Sequence, residues 1–398
     1  MPNYVDPYKP VFYAQEALIA IENALGMAKR VHRGYENERR SYGKGDTIQI
    51  TKPGTFSTQA GGNGAIGDLN PTKVDIELTT WREVKFGLSD QEMAYTSDKI
   101  IADHIGPAAY ALAAYVEADL ASLYKYVPWS YNLASTITSA DLIGARKVLR
   151  DVAGNIIDTN LVHMGIDSTL EAAFLGLNLF SSVDAAGAAA NQSLLGGSLG
   201  TRFGVEPFVQ QGMTQHTSGT IISVDGDVAG ALAADAKERD TTISVNGFSN
   251  GDGDQTLAAG DSLVIAGNTQ RYVVTEATTM AAGANAAVPI YPAIVAKALS
   301  GAVVTVEQKS ASVYSDAYYP NILFHKNAFA LGMAPLPDYS NAGVGVQMFT
   351  VLDPQTGLSV RARTAYNDQY AKMVVTLDIL YGIKCLDPNL AVIARRDA

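Results

Sequence analysis

Two glycine-rich stretches contain residue types that could carry chemistry. Residues 62–67, with the sequence GNGAIG, match the spacing of a dinucleotide-binding loop. Such a loop works only between a parallel strand and a helix whose N-terminus meets the pyrophosphate. Residues 68–71 read DLNP and do not supply that helix. The pattern therefore predicts an ordinary glycine-rich loop rather than a nucleotide site.

The second stretch, residues 196–200 with the sequence GGSLG, matches the nucleophile elbow of hydrolases around Ser198. The elbow needs a strand before the serine and a helix after it, because that turn strains the side chain outward. The residues before Ser198 are rich in Ala and Gly and predict a loop. His216 and His325 lie downstream as candidate bases. The sequence before Ser198 favours a loop, and a hydrolase that uses Ser198 is kept as an alternative function.

Residues 250–254, NGDGD, place oxygens at alternate positions as a calcium-binding loop does, and Asp261 occupies its twelfth position. Gln255 stands where that loop requires a glycine, and no predicted helix flanks the segment. The pattern favours a solvated turn over a weak calcium site. The five histidines of the chain show no metal-ligand spacing. We therefore expect no catalytic residues, no cofactor and no bound metal.

Composition narrows the classes of protein further. The formal net charge of -11 argues against tight nucleic-acid binding, which relies on Lys and Arg releasing phosphate counterions. The single cysteine, Cys385, excludes an intrachain disulfide, and its apolar surroundings predict a buried thiol. No apolar run reaches membrane-spanning length, and the N-terminus lacks the features of a signal peptide. We expect a soluble protein that is not exported and contacts no membrane.

The N-terminal part of the chain contains the elements around which the rest is organised. Residues 1–13 are rich in Tyr, Pro and Phe and predict an extended arm, and helical spacing follows over 14–30. Alternating apolar residues predict strands at 47–52 and 74–78, joined through a glycine-rich tip. Two strands alone are marginally stable in water, so another surface must cover their apolar face.

Helical spacing dominates the chain after this hairpin. A capping box at Ser89 predicts a short helix, and a longer helix is predicted over 97–127, where Pro107 must kink or restart it. Further predicted elements follow in chain order: a helix start at Thr138, a strand at 161–166, a helix start at Ser168 and a mobile loop at 184–200.

Near residue 220 the helical spacing disappears and short β runs separated by turn residues begin. We predict an all-β domain over 221–309, either a small barrel or a sandwich. Its strands are predicted at 242–245, 262–265, 271–274, 287–290 and 302–306. The run over 373–383 predicts a buried strand, and the fold class of the whole is α+β.

Several stretches resemble a known family. They are 324–331 (FHKNAFAL) with PLP at 335–337, 377–383 (LDILYGI) and 45–53 (GDTIQITKP). They are similar to tailed-phage major capsid proteins of the HK97-type fold, in particular to coat proteins of the phage P-twenty-two type. None of these stretches is a catalytic signature, and the similarity follows the order of elements across nearly the whole chain.

The resemblance implies a capsid fold with an inserted β-barrel domain, and it divides the chain into seven segments. These are the N-terminal arm and helix (1–33), the E-loop hairpin (34–86), the spine helix and peripheral domain (87–129), the axial domain (130–220 and 310–365), the inserted β domain (221–309) and the C-terminal peripheral strands (366–398).

The resemblance also implies a function and partners. The protein would assemble into the icosahedral shell of a tailed phage in the host cytoplasm and enclose double-stranded DNA, with only weak, non-specific DNA contact. Its partners would be other copies in hexamers and pentamers, a scaffolding protein, a portal protein and a decoration protein. A β-rich surface or adhesion protein is the other alternative to the hydrolase.

We expect the covering surface for the hairpin to belong to a neighbouring subunit. Candidate intersubunit contacts come from the arm, the hairpin and the residues just after it: Tyr8, Phe12, Tyr13, Lys52, Phe56, Trp81 and Arg82.

Overall fold

The protein combines helices and sheets, in agreement with the α+β prediction. The chain divides into two compact units: a first unit of Met1–Ala28, His32–Val116 and Phe329–Leu386, and a second unit of Lys29–Val31, Glu117–Ala328 and Asp387–Ala398. The computed structural model describes residues 10–33, 47–52, 72–89, 104–153, 162–181, 193, 195–223, 229–248, 255–281, 284–306, 317–338, 347–353, 357–370 and 372–397.

The described residues form five α-helices and six short 3-10 turns. The helices are α1 Pro10–Ala24, α2 Gly106–Ser122, α3 Ser139–Ala153, α4 Ser168–Leu175 and α5 Asn178–Ser181. The 3-10 turns are Met27–Lys29, Leu123–Tyr126, Thr220–Ser223, Lys326–Ala328, Asp368–Tyr370 and Pro388–Leu390.

Helix α1 corrects the predicted N-terminal arm. It begins at Pro10, so residues 10–13 are helical rather than extended, and residues 1–9 lie outside the described residues. Proline suits the first helical position, because its fixed φ matches the helix and its missing N–H has no partner there in any case. The next long helix also has a proline near its start, since Pro107 is the second residue of α2. Residues 97–103 of the predicted helix lie outside the described residues, so a kink or restart at Pro107 stays a prediction.

The first unit contains a hairpin and a larger antiparallel sheet. In the hairpin, β1 Thr47–Lys52 pairs with β2 Thr72–Glu77, which confirms both predicted strands; residues 53–71 lie outside the described residues. The larger sheet has the order β17–β20–β19–β18, with β3 also paired to β20. Its strands are β3 Thr80–Ser89, β17 Phe329–Met333, β18 Gln347–Leu352, β19 Ser359–Asn367 and β20 Lys372–Cys385.

Strand β20 confirms the predicted buried strand, and β3 is a strand that was not predicted. Ser89, interpreted as a helix cap, pairs instead with Lys372 at the end of β3. Residues 90–95 of that predicted helix are outside the described residues. The alternation of Val84, Phe86 and Leu88 with Glu83, Lys85 and Gly87 was the available signal for a strand.

The second unit has a mixed sheet of order β4–β21–β16–β5–β6, with β7 also paired to β16. The pairs β4–β21 and β5–β6 are parallel and the others antiparallel. Helices α3 and α4 contribute to the core that packs on this sheet. Its strands are β4 Ser130–Asn132, β5 Val162–Ile166, β6 Glu206–Val209, β7 His216–Thr217, β16 Ala317–His325 and β21 Ala391–Asp397.

Both helix starts predicted in this region are confirmed, with one change of cap. Before α3, the Asp141 carboxylate accepts hydrogen bonds from the backbone N–H and the hydroxyl of Thr138, at 2.8 and 2.9 Å. The cap of α4 is Asp167 rather than Ser168, because the Asp167 carboxylate accepts from the N–H groups of Thr169 and Leu170.

A closed six-stranded barrel forms the rest of the second unit, in the order β11–β12–β14–β9–β8–β15. All five strands predicted in this region are present. The barrel strands are β8 Ala229–Leu232, β9 Thr242–Asn246, β11 Ser262–Ile265, β12 Arg271–Val274, β14 Ala286–Tyr291 and β15 Val303–Val306, accompanied by the small sheet of β10 Gln255–Leu257 and β13 Thr278–Met280.

The sheets group the C-terminal residues differently from the predicted segments. Strand β21 pairs with β16 and β4, so the end of segment 366–398 lies in the second unit. Strands β17, β18 and most of β19 fall within segment 310–365, and they share the sheet of β20 in the first unit. Alternation along a strand identifies its buried face but does not identify its partner strand, which is why this grouping was missed.

The barrel is expected to fold by itself when residues 217–312 are expressed as a fragment. Its buried apolar cluster runs from Ile221 to Val306 and lies within those limits. A far-ultraviolet circular dichroism spectrum should show β structure with a cooperative thermal transition. A random-coil spectrum would show that the barrel needs the rest of the second unit.

Candidate assembly interface

The hairpin β1–β2 is seated on a pair of glycines in the sheet of the first unit. Gly332 of β17 and Gly382 of β20 are directly paired across the two strands. A Cβ atom added to Gly382 would lie 2.9 Å from the carbonyl carbon of Glu77 and 3.2 Å from the Ile76 Cγ2 atom. One added to Gly332 would lie 3.0 Å from the Ile48 Cδ1 atom. The two glycines therefore form a flat seat, the glycine seat, on which the hairpin backbone rests.

The apolar face of the hairpin base is covered by the chain itself. Ile48, Ile50, Ile76 and Leu78 are buried in one cluster, together with Ala330, Ala334 and Leu386. The expectation that a neighbouring subunit supplies this surface is therefore wrong for the described part of the hairpin. Burial of apolar area stabilises a fold by roughly 25 cal/mol per Å², so these buried side chains hold the base of the hairpin within the subunit.

A buried ladder of charges joins β19, β20 and β3. Asp378 of β20 is fully buried and accepts hydrogen bonds from Arg361 Nε and Nη2 at 3.0 and 2.7 Å. Arg363 donates through Nη2 to Asp378 at 3.0 Å and to Glu83 of β3 at 2.7 Å. Arg361 also donates to the carbonyl of Pro337 at 3.2 Å. This ladder fixes the register of β3, since a slip by one residue would place each charge on the opposite face.

Glu83 is the outer end of this ladder. A hydrogen bond from Lys85 and the charges of Lys85 and Arg363 lower the pKa of Glu83, although burial acts in the opposite direction. Glu83 is therefore ionised at neutral pH and keeps the outermost arginine paired.

Trp81 and Arg82 occupy opposite faces of β3. The Trp81 side chain is 54% exposed, and the Arg361 guanidinium lies 5.9 Å from its ring centre. Arg82 points the other way, stacks over the ring of Tyr115 on α2 at 4.1 Å and donates a hydrogen bond to its hydroxyl. Trp81 is thus available to a partner, whereas Arg82 holds β3 to the helix.

Exposed aromatic side chains are concentrated in the first unit. Of the seven among the described residues, two lie in the second unit, Tyr126 and Phe203, and five in the first: Trp81 of β3, Tyr110 and Tyr115 of α2, Tyr366 of β19 and Tyr370 of the adjoining turn. Tyr and Trp are enriched in protein–protein interfaces because they combine a large apolar surface with a hydrogen-bonding group. The five residues of the first unit define the candidate assembly interface, and Trp81 is the one of them that was among the predicted contact residues.

The other predicted contact residues are placed as follows. Tyr13 is buried within α1 of the same subunit, and α1 packs against β18 and β19. This burial does not support an intersubunit role for Tyr13. Phe12 lies in α1 and Lys52 at the end of β1, but their side chains are outside the described set. Tyr8 and Phe56 lie wholly outside it, so their roles stay predictions.

A buried polar node in the second unit involves the aspartate of the calcium-like pattern. Asp261 Oδ1 lies 3.2 Å from His216 Nε2, and His216 Nδ1 lies 3.0 Å from the Tyr124 hydroxyl. The other Asp261 oxygen accepts from the N–H groups of Gly219 and Ala258, at 3.1 and 2.7 Å. Asp261 is thus engaged in structural bonds, and residues 249–254 lie outside the described ones.

Two tyrosines at this node are held in the neutral form. Burial, and then the electrostatic interactions with Tyr318 and Asp261, raise the pKa of Tyr124. Burial also raises the pKa of Tyr318, to about 12. Both rings contact His216, at centroid distances of 5.5 and 4.8 Å. The members of the node are buried, and their contacts join the barrel to the sheet of the second unit.

The hydrolase pattern does not form a nucleophile elbow. Residues 197–200 are irregular, Ser198 is exposed, and no described strand leads into it. His216, one of the two candidate bases, has both ring nitrogens engaged in the buried node. The other, His325, is buried in β16.

A second histidine cluster lies at the surface of the same unit. His163 Nδ1 donates to Glu206 at 2.9 Å, and Arg30 donates to the other oxygen of that carboxylate at 2.6 Å. Burial lowers the pKa of His163, although Glu206 acts in the opposite direction. Burial would raise the pKa of Glu206, but the bonds and charges of Arg30 and His163 lower it overall.

Acidification is therefore expected to weaken the second unit through His163. The pKa of His163 in the folded protein lies below its unfolded value of 6.5. The stability that neutral His163 contributes is therefore fully present above pH 6.5, and it is lost as the pH falls towards the folded pKa. The urea midpoint of the wild type should fall more between about pH 7.5 and 5.5 than that of His163→Gln, which cannot titrate there. Equal decreases in both proteins would contradict this assignment.

Two kinds of site are not found in the part of the chain that the structure describes. No three His, Cys, Asp or Glu side chains come together there as metal ligands. None of the helices within that part is long and apolar enough to cross a membrane. Cys385 is buried, as predicted.

No protein-family model and no curated protein matches the chain. Solved structures do match over most of its length. A chain from Mycobacterium phage Che8 is 12% identical, with 93% of this chain and 90% of that chain covered and a TM-score of 0.48. A chain of the cyanophage P-SCSP1u capsid is 11% identical, with 90% and 86% covered and a TM-score of 0.43.

A virus-like particle from Pyrococcus furiosus provides a third match. It is 8% identical, with 96% of this chain and 97% of that chain covered and a TM-score of 0.39. All three TM-scores lie below 0.5.

Proposed function

We propose that this protein is the structural subunit of an icosahedral phage shell, with the HK97-type fold and no catalytic role. The observation that carries the proposal is the order of elements: a seated hairpin at 47–77, the long helix α2, a mixed second unit and the return of β20 beneath the hairpin. The same order is implied by the resemblance of 45–53, 324–337 and 377–383 to tailed-phage major capsid proteins.

The hairpin geometry gives this proposal a physical basis. The base of the hairpin is fixed on the glycine seat, and the E-loop role that the resemblance gives to 34–86 requires an anchored base of this kind. Shell contacts are numerous, and each can be weak, because closed symmetry repeats every contact. The exposed tyrosines and Trp81 provide a surface of suitable chemistry for these contacts.

The barrel supports a closer relation to coat proteins of the P-twenty-two type. It occupies 229–306, inside the segment 221–309 that the resemblance identifies as an inserted domain. We infer that it stabilises the subunit and contributes to contacts in the lattice. Its attachment is polar as well as apolar: Arg395 of β21 donates to Ser262 at 2.8 Å, and Arg271 stacks on Trp129 at 5.2 Å.

The proposed partners follow from the shell function. They are other copies in hexamers and pentamers, a separate scaffolding protein, a portal protein and a decoration protein. The proposed location is the virion capsid, after assembly in the host cytoplasm. The net charge of -11 suits a container for DNA, since a strongly basic inner wall would hinder packaging and release.

Sedimentation of the full chain tests this function. Expressed alone or with its scaffolding partner, the protein should sediment as large, uniform particles. A stable monomer at high concentration in both preparations would overturn the proposal. The hydrolase alternative is tested by measuring esterase activity in the wild type and in Ser198→Ala. That alternative requires wild-type activity that the substitution removes.

A further inference from the structure

Helix α3 turns an apolar face inward and a cationic face outward. Its inward residues, Leu142, Ala145 and Leu149, are buried in the core of the second unit. Its outward face carries Arg146, which is partly exposed, and the exposed Lys147 and Arg150. Residues three and four apart are neighbours on a helix, so these three side chains form one surface, the α3 cationic patch.

The patch is not neutralised by the described residues. No ion pair or side-chain hydrogen bond joins Arg146, Lys147 or Arg150 to any of them. The carboxylates of the same helix are not partners: Asp141 is buried in the helix cap, and the exposed Asp151 forms no ion pair. Some other surface cations are paired, such as Lys297 with Asp235 at 3.1 Å and Arg363 with Glu83 at 2.7 Å.

This arrangement is unfavourable for the isolated subunit. Like charges three and four residues apart on a helix repel each other. Burial, and then the charge of Arg150, lower the pKa of Arg146. The helix dipole favours Arg150 in the last turn, but Arg146 and Lys147 precede that turn. In a chain of net charge -11, an unneutralised cationic patch fits an anionic partner.

We propose that the α3 cationic patch binds the phosphate backbone of duplex DNA without sequence preference. This inference rests on the proposed function, because a DNA-filled shell brings duplex phosphates to its subunits at high concentration. The three cations span about 6 Å along the helix axis, whereas duplex DNA carries one charge per roughly 1.7 Å, so several phosphates face the patch. Arginine also matches the geometry of a phosphate group through two parallel hydrogen bonds.

Binding of unassembled full-length subunits to a labelled duplex tests the proposal. Three phosphate contacts predict that affinity falls about 40-fold between about 50 and 200 mM salt. The variant R146Q/K147Q/R150Q should lose most of the binding and most of this salt dependence. The matched control K237Q/R239Q/K297Q removes three exposed cations from the barrel and should keep both. The variant R146K/K147R/R150K, which keeps all three charges, should retain binding.

Several results would overturn the proposal. One is unchanged duplex binding by the α3 variant at a wild-type urea midpoint, and another is an equal loss in the barrel control. Binding of a poly-glutamate peptide, but not of DNA, would assign the patch to an acidic protein instead. Micrographs of the same preparations separate the proposed shell function from DNA binding by the α3 cationic patch. Intact shells without patch-dependent binding contradict only the DNA-binding inference. Patch-dependent binding without shells contradicts the proposed function.

Discussion

Replacing Gly382 with alanine is expected to displace the β1–β2 hairpin and to prevent shell assembly. The new methyl group would lie 2.9 Å from the carbonyl carbon of Glu77, which is backbone and cannot rotate away. Overpacking of this kind costs about 1–3 kcal/mol. Amide hydrogen exchange should increase in 47–52 and 72–77, and the yield of large particles in sedimentation should fall strongly.

Gly87→Ala is the matched control for this substitution. Gly87 lies in β3, which also pairs with β20, but its added Cβ would meet only the flexible side chain of Lys372, at 3.5 Å. The Gly87→Ala variant should therefore assemble into particles as the wild type does. Wild-type hydrogen exchange and particle yield in Gly382→Ala would show that the hairpin does not depend on the glycine seat.

Replacing Asp378 with alanine is expected to destabilise the first unit severely. The substitution leaves the buried Arg361 without its counter-charge and removes one of the two partners of Arg363. Breaking a buried pair by removing one partner costs about 3–5 kcal/mol. The urea midpoint for the first unit should fall accordingly, and soluble expression should decrease.

A second variant separates loss of pairing from loss of packing. Arg361→Met combined with Asp378→Leu removes both buried charges, while Arg363 keeps Glu83 as its partner. Apolar replacements of a buried ion pair are often neutral or stabilising, so this double variant should be more stable than Asp378→Ala. If the double variant is the less stable of the two, the ladder acts through its shape rather than its charge.

Local patterns in the sequence predicted much of the fold. Alternation located β1 and β2, a β-rich run located β20, and turn residues between short apolar runs located five barrel strands. Capping residues located the starts of α3 and α4. Each of these signals is read over a few neighbouring residues, which is why it survives in the folded protein.

Features that depend on distant residues were not predictable in the same way. Glycines within strands often mark a close approach of another backbone, which was the signal available at Gly332 and Gly382. Nothing local shows that the approaching backbone is the chain's own hairpin. Likewise, an aspartate inside an apolar run requires a buried partner, but its pairing with Arg361 and Arg363 depends on strand order.

The candidate interface was predicted only in part for the same reason. Trp81 is a predicted contact that is exposed, whereas Tyr110, Tyr366 and Tyr370 become candidates only through their exposure in the folded unit. Tyr13 shows the opposite case, since its aromatic character suited an interface but its helix buries it against the subunit.

Negative-stain electron microscopy of the purified full chain tests the central claim most directly. The protein, alone or with its scaffolding partner, should form hollow, closed shells of uniform diameter built from many copies. A field of dispersed subunits or irregular aggregates in both preparations would contradict the shell function.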